Sequence, residues 1–95
     1  MAKGYIISSV TVTDSAKYAD YVKASSAAIT KFGGKPLARG GTHEVLEGEG
    51  RARNVILEFD SLEIAKAYYH SPEYQSAKTL RRNAGILSMV VVEGA

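Results

Sequence analysis

The residues with the most evident chemical potential lie in one stretch, "AYYHSPEYQSAKTLR", from Ala67 to Arg81. These fifteen positions hold a histidine, serine hydroxyls, a carboxylate, three phenols and an arginine, which are groups that transfer protons or bind anions. Ser71 followed by Pro72 also predicts a helix start, because serine caps free amides and proline fits the first helical turn. The stretch is therefore interpreted mainly as a joint between two helices. Arg81 is the residue that a joint does not explain.

Arg81 is expected to emerge from an inward-facing helix stripe. It follows Ala77 by four residues and Tyr74 by seven, so the three share one side of a helix. A half-buried guanidinium needs a partner. The structural interpretation is an ion pair with a carboxylate, and the functional one is a clamp for a carboxylate or phosphate of a ligand, which suits a forked donor. Both interpretations stay open, and the structural one is favoured.

His70 and Tyr74 are the other candidates within this stretch. His70 shares the polar side of its helix with Lys66, which indicates a solvated residue at a helix end in preference to a general base. Tyr74 belongs with Tyr68 and Tyr69 to a helical spacing typical of core aromatics whose hydroxyls approach the surface. Ligand contact is the less favoured interpretation for each of them.

A second candidate set lies on the predicted strands. Glu58 is on the strand face opposite Val55, and therefore faces away from the covering helices. If the hairpin folds about the "GEGRA" turn, Arg39 comes roughly opposite Glu58. Tyr5 is expected to add a hydroxyl on the same face. The plain interpretation is a salt bridge across strands or subunits, and the sharper one is a polar patch that lines a cavity at a subunit interface.

Composition excludes several classes of function. The 95 residues include no cysteine, which excludes disulfides and sulfur-ligated metals, and a net charge of +2 is too small and scattered to indicate nucleic acid. His43 has no second histidine at a ligand spacing, so no metal is expected. No cofactor is expected either. The N-terminal segment is too polar for a signal peptide or a membrane span, which makes the cytoplasm the expected compartment.

Hydrophobic periodicity and turn residues predict four strands and three helices. The first helix begins at Thr13 or Asp14 and stops at Gly33 and Gly34. The second begins at Asp60 or Ser61, and the third runs from Ser71 to about Asn83 and Gly85. The predicted strands are 5–12, 35–48 with a bulge or bend at Gly40 and Gly41 and with His43 inside it, 53–60, and 86–94, with "EGEGRA" as a turn.

This order of elements predicts one α+β domain over residues 1–95. It is the ferredoxin-like β-α-β-β-α-β layout, with an extra short helix before the last strand and a four-stranded antiparallel sheet. A chain of 95 residues buries only roughly 60 to 68 per cent of its unfolded surface, so self-association is expected to add stability.

Several motifs resemble the family known as domain of unknown function 1330. "RGG", "VLEG", "EF" before a helix start, and "HSPEYQ" occur in the order typical of that family, and the similarity spans nearly the whole chain. The resemblance implies the dimeric α+β barrel superfamily, in which two ferredoxin-like subunits bring their sheets together. It implies a homodimer and no established activity.

Three hypotheses for function follow. The first is a homodimer that binds a small organic molecule, with an anionic one suggested by Arg39 and Arg81. The second is a cofactor-independent enzyme of the monooxygenase or isomerase kind, in which a tyrosine or histidine transfers a proton and an arginine stabilises negative charge. The third is a structural or regulatory dimer without a ligand. An enclosed, water-poor pocket that holds an acid or base near the arginine would favour the enzyme.

Overall fold

The computed structural model describes residues 2–95 as a sheet covered on one side by helices. Both the helix break at Ser71 and the predicted number of strands are confirmed. The elements are β1 (Gly4–Val12), α1 (Ser15–Lys31), β2 (Lys35–Arg39), β3 (Arg53–Phe59), α2 (Leu62–His70), α3 (Pro72–Thr79) and β4 (Gly85–Glu93).

The four strands form an antiparallel sheet in the order β2-β3-β1-β4. This is the predicted ferredoxin-like arrangement, in which β1 lies at the centre and β4 at an edge. Tyr5 is paired with Glu58 on one side and with Val92 on the other, so all three side chains share the face without helices, which we call the open face.

The hydrophobic core lies between the sheet and the helices. Alternate residues of β1 and β3 point into it because side chains alternate across a strand. Helix α1 adds the apolar stripe that its three- and four-residue spacing predicts. The most deeply buried side chains of the core are Ile6, Val10, Phe59, Tyr68 and Tyr74.

Two short segments fix the positions of α2 and α3. The Ser71 hydroxyl accepts a hydrogen bond from the Tyr74 amide at 3.1 Å and donates one to the Tyr68 carbonyl at 2.7 Å, so one side chain joins α2 to α3. At the start of α2, a Cβ on Gly4 would lie 2.3 Å from the Ser61 carbonyl oxygen. The backbone of β1 can approach this helix start because position 4 has no side chain.

The predicted second strand is too long. It ends at Arg39, and the register shift lies between Pro36 and Ala38 instead of at the two glycines. Gly40 adopts a positive φ of 68° and takes the chain out of the sheet. His43 therefore lies in a loop between β2 and β3, not in a strand.

The predicted third helix is also too long, because α3 ends at Thr79. The amides of Leu80, Arg81 and Arg82 bond to carbonyls three residues earlier, which is the tighter 3₁₀ pattern common at helix ends. Asn83 then adopts a positive φ of 61° and ends the turn. Arg81 lies in this turn instead of within a continuous helix.

Candidate binding site

Arg81 is half-buried, and its partners are aromatic. One of its terminal nitrogens donates to the Tyr74 hydroxyl at 3.3 Å, and the guanidinium carbon lies 5.2 Å from the centroid of the Tyr21 ring. Within residues 2–95, ion pairs are formed by Lys3 with Asp60 and by Lys31 with Glu73. The carboxylate partner considered from the sequence for Arg81 is therefore not present in this part of the chain.

Tyr21 and Tyr74 form a buried pair of phenols beside Arg81. Their hydroxyl oxygens are 2.9 Å apart and their rings meet edge to face with centroids 6.2 Å apart. Burial, followed by the neighbouring Tyr74, raises the pKa of Tyr21 well above the ordinary value of 10.0. This phenol therefore stays protonated near neutral pH, so it can donate or share a proton but cannot act as a base.

The Nε atom of Arg81 is buried and has no hydrogen-bond acceptor among the described residues. A buried guanidinium nitrogen without an acceptor is unfavourable, because its lost hydration is not replaced. The positive charge of Arg81 thus has no anionic partner among residues 2–95.

Arg81 also lines a surface groove of about 400 Å³, which we call the Arg81 groove. This volume lies within the range of small-molecule sites. Lys78 adds a second cation, whose Nζ donates to the Tyr69 hydroxyl at 2.8 Å. The lining contains no carboxylate and comprises Tyr69, Lys78, Arg81, Gly85, Leu87 and Met89.

A second groove of about 320 Å³, the His70 groove, lies between α2 and β4. His70 is exposed at the end of α2, as its place on the polar side of the helix predicted. The groove also contains a lysine and an aliphatic floor, and it is lined by Ile6, Lys66, Tyr69, His70, Met89, Val90 and Val91.

The predicted position of Arg39 opposite Glu58 is wrong. Lys35 is paired with Glu58, whereas Arg39 is paired with Val55, whose side chain faces the helices. The bulge after Pro36 changes the register, and the hairpin loop is longer than the predicted turn. Arg39 therefore donates to the Ser26 hydroxyl of α1 instead of to Glu58.

Sequence reasoning did not single out Arg53, which lines a small cavity between α1 and the sheet together with Arg39. The Arg53 guanidinium carbon lies 5.5 Å from the centroid of the Tyr18 ring. The cavity measures about 30 Å³, which is room for roughly one or two water molecules. It is too small for an organic substrate. The alternation along β3 places Arg53 on the same face as Val55, and this was the signal available.

Tyr5 and Glu58 do meet on the open face. The Tyr5 hydroxyl donates to the Glu58 carboxylate at 3.0 Å, and this hydrogen bond, followed by burial, raises the pKa of Tyr5. Tyr5 therefore adds a hydroxyl beside Glu58, as expected from the sequence. Arg39 does not lie near Glu58.

A family model for DUF1330, a domain of unknown function, matches residues 3–95. This chain belongs to the DUF1330 family. The resemblance seen in the sequence motifs is thereby confirmed over nearly the full length. No curated protein sequence is significantly similar to this DUF1330 chain.

Solved structures of other proteins share the fold of this DUF1330 chain at low sequence identity. A protein of unknown function from Rhodopseudomonas palustris is 18% identical, with 99% of this chain and 83% of that chain covered and a TM-score of 0.79. A dimeric protein of unknown function with a ferredoxin-like fold, from Bacteroides fragilis, is 18% identical over 96% of this chain and 93% of that chain, with a TM-score of 0.63.

The fold also resembles that of SnoaB, a cofactor-independent oxygenase from Streptomyces nogalater. The identity is 9%, with 97% of this chain and 92% of that chain covered and a TM-score of 0.62. At such identities the similarity concerns the fold alone. Across residues 2–95 of the DUF1330 chain, none of the helices is both long and apolar enough to cross a lipid bilayer.

Proposed function

We propose that this DUF1330 protein is a homodimer that binds a small organic anion in the Arg81 groove. The observation that carries the proposal is the state of Arg81, whose partners are phenols and whose buried Nε has no acceptor in the described chain. A carboxylate or phosphate fits a forked guanidinium donor, and Lys78 adds charge beside it. The proposal also places the protein in the cytoplasm, the compartment expected from the sequence.

Two observations support the dimer. The open face exposes large apolar side chains, among them Ile7, Ile86, Val90 and Val92 at 41% to 57% of their surface. The chain has 6062 Å² of accessible surface, whereas a monomeric protein of 10.2 kDa exposes about 5300 Å². The excess is similar to the roughly 800 Å² that each partner contributes to a standard interface.

Binding without catalysis agrees best with the geometry. An enzyme needs an acid or base within reach of the reacting atoms in a site that excludes water. The cavity between α1 and the sheet is too small for an organic substrate, and the raised pKa of Tyr21 keeps this phenol protonated near neutral pH.

The enzyme hypothesis keeps one supporting observation, the pair of buried phenols next to Arg81. Such phenols can donate hydrogen bonds to a developing negative charge, which the guanidinium also stabilises. In that case, replacing Tyr74 by phenylalanine would reduce turnover more than ligand affinity. Under the binding proposal, it weakens affinity and no turnover is found.

The test is a thermal-shift screen of wild-type protein against small carboxylates and organic phosphates. A ligand at a hundred-fold excess over its Kd stabilises the folded state by about 2.7 kcal/mol, which raises the Tm by roughly 10–20 °C for a domain of this size. Arg81→Met is expected to abolish this rise. Arg82→Met is the matched control, because Arg82 is exposed and lies outside the Arg81 groove.

Light scattering tests the dimer and should give about twice the monomer mass. A monomer at micromolar concentration would refute the homodimer.

An Arg81→Met protein with lower basal stability and an unchanged response to the ligand would refute the anion site, because Arg81 would then have only a structural role.

A further inference from the structure

The Arg81 groove and the His70 groove lie next to each other. Both are lined by Tyr69 and Met89, so they meet between α2 and β4. The Arg81 groove contacts β4 from Gly85 to Met89, and the His70 groove continues from Met89 to Val91. Six residue steps along a strand cover about 20 Å, so the combined groove is long compared with a single carboxylate.

Charge is concentrated at the two ends of this combined groove. Lys78 and Arg81 lie at one end, while Lys66 and His70 lie at the other. Lys66 and His70 are four residues apart on α2 and therefore share one helix face. Neither groove is lined by an aspartate or a glutamate, and none of the three permanent cations is ion-paired within residues 2–95.

The middle of the combined groove is apolar. Its shared residues are Met89 and the half-buried Tyr69, and aliphatic residues continue on both sides, with Leu87 towards Arg81 and Ile6 towards His70. Ile6 and Met89 face the helices, so the floor lies on the opposite side of the sheet from the open face, except at Val90, whose side chain belongs to the open face. Pairing of two open faces therefore leaves it accessible.

We propose that the ligand is an elongated dianion whose two acidic groups are separated by an apolar spacer. One acidic group binds Lys78 and Arg81, the spacer lies over Tyr69 and Met89, and the second acidic group binds near Lys66. This inference rests on the proposed anion site at Arg81 and adds to it the chemical class of the ligand. A monoanion with an apolar tail would use the same floor but would gain nothing from Lys66.

The experiment compares straight-chain dicarboxylates with monocarboxylates of equal length, in a series from succinate to dodecanedioate, by calorimetric titration. We expect one length of dicarboxylate to bind at least about ten-fold tighter than its monocarboxylate, because its second carboxylate adds a charge-assisted hydrogen bond. Lys66→Gln should remove this advantage. The affinity for the monocarboxylate should change by less than about three-fold, so it serves as the reference. Arg81→Met should weaken both ligands.

The matched control is Lys23→Gln, since Lys23 is an exposed lysine on α1 outside both grooves. Its titrations should match those of the wild type. If the two ligand classes bind equally, or if Lys66→Gln affects both alike, the dianion is refuted while anion binding at Arg81 stands. If no acid of either class binds the wild-type protein, this inference fails, and if the organic phosphates of the thermal-shift screen also have no effect, the proposed anion site fails with it.

Discussion

The two faces of the sheet differ in how they are covered, although the same strands form both. Ile6 is 2% exposed beneath the helices, while its neighbour Ile7 on the open face is 41% exposed. Strand alternation gives both faces apolar residues, but the helices of one chain cover only one of them. The open face therefore lacks covering elements and not apolar residues, and this is the physical basis of the proposed homodimer.

Phe59→Ala is expected to have the largest effect, because it removes a ring from the covered face. The Phe59 ring is 1% exposed, and its centroid lies 5.1 Å from that of Tyr68. Its loss should reduce the free energy of unfolding by about 3–5 kcal/mol in urea denaturation.

The control is Ile56→Ala, on the opposite face of the same strand. Its effect should depend on protein concentration, because the interface and not the subunit core would be weakened. Equal, concentration-independent losses for both variants would remove the distinction between the faces.

Ile7→Glu tests the open face directly. Ile7 lies opposite Val90 at the centre of the exposed apolar surface. Burial of a carboxylate without a partner is costly, so dimerisation should weaken about a hundred-fold or more while the subunit stays folded. Sedimentation or light scattering measures the mass, and Lys23→Glu provides a control on the exposed side of α1. A full-sized Ile7→Glu dimer would show that the subunits associate elsewhere.

Ser71→Ala weakens the layer that covers the inner face. The Ser71 hydroxyl caps α3 and also bonds to the end of α2, so its removal should cost about 1–2 kcal/mol. Ser76→Ala, an exposed position within α3, should stay within about 0.5 kcal/mol of the wild type in the same denaturation experiment. Equal effects of the two would mean that the joint between the helices contributes nothing specific.

Glu73→Gln should have the smallest effect, and that effect should depend on pH. The hydrogen bond from Lys31 lowers the pKa of Glu73 below 4.5, its ordinary value. Because the pKa of Glu73 is lower in the folded than in the unfolded state, its ionised form stabilises the protein at every pH above the unfolded-state pKa. This stabilisation is lost as the pH falls through the folded-state pKa. The Tm of the variant should therefore lie slightly below that of the wild type at pH 7 and meet it in acid. Glu63→Gln is the control, because it changes another exposed helix-start carboxylate that does not pair with Lys31.

Local patterns predicted most of the fold. The alternation in β3, the stripe on α1 and the cap at Ser71 each depend on neighbouring residues, and all were identified. The end of β2 depends on one backbone angle at Gly40, and the position of Arg39 depends on a bulge that shifts the register by one residue. Composition does not encode such shifts, so Arg39 was assigned to the wrong face.

The candidate site was predictable only in part. Arg81 was identified because helical spacing required a partner for it. Its actual surroundings include Tyr21, which is 53 positions from Tyr74 in sequence, and this contact depends on how α1 crosses α3. Lys66 and Lys78 looked like ordinary solvated lysines, because a groove between β4 and two helices exists only after packing.

The absence of a side chain at Gly4 has a consequence for the nearby His70 groove. Because β1 touches the start of α2 there, the spacing between this helix and the sheet is fixed by the absence of one methyl group. The methyl group of alanine at this position would push the start of α2 away from β1. The distance between Ile6 on β1 and Lys66 on α2 would then increase. If the proposed ligand binds there, the width of the His70 groove would depend on Gly4, a residue outside the lining of that groove.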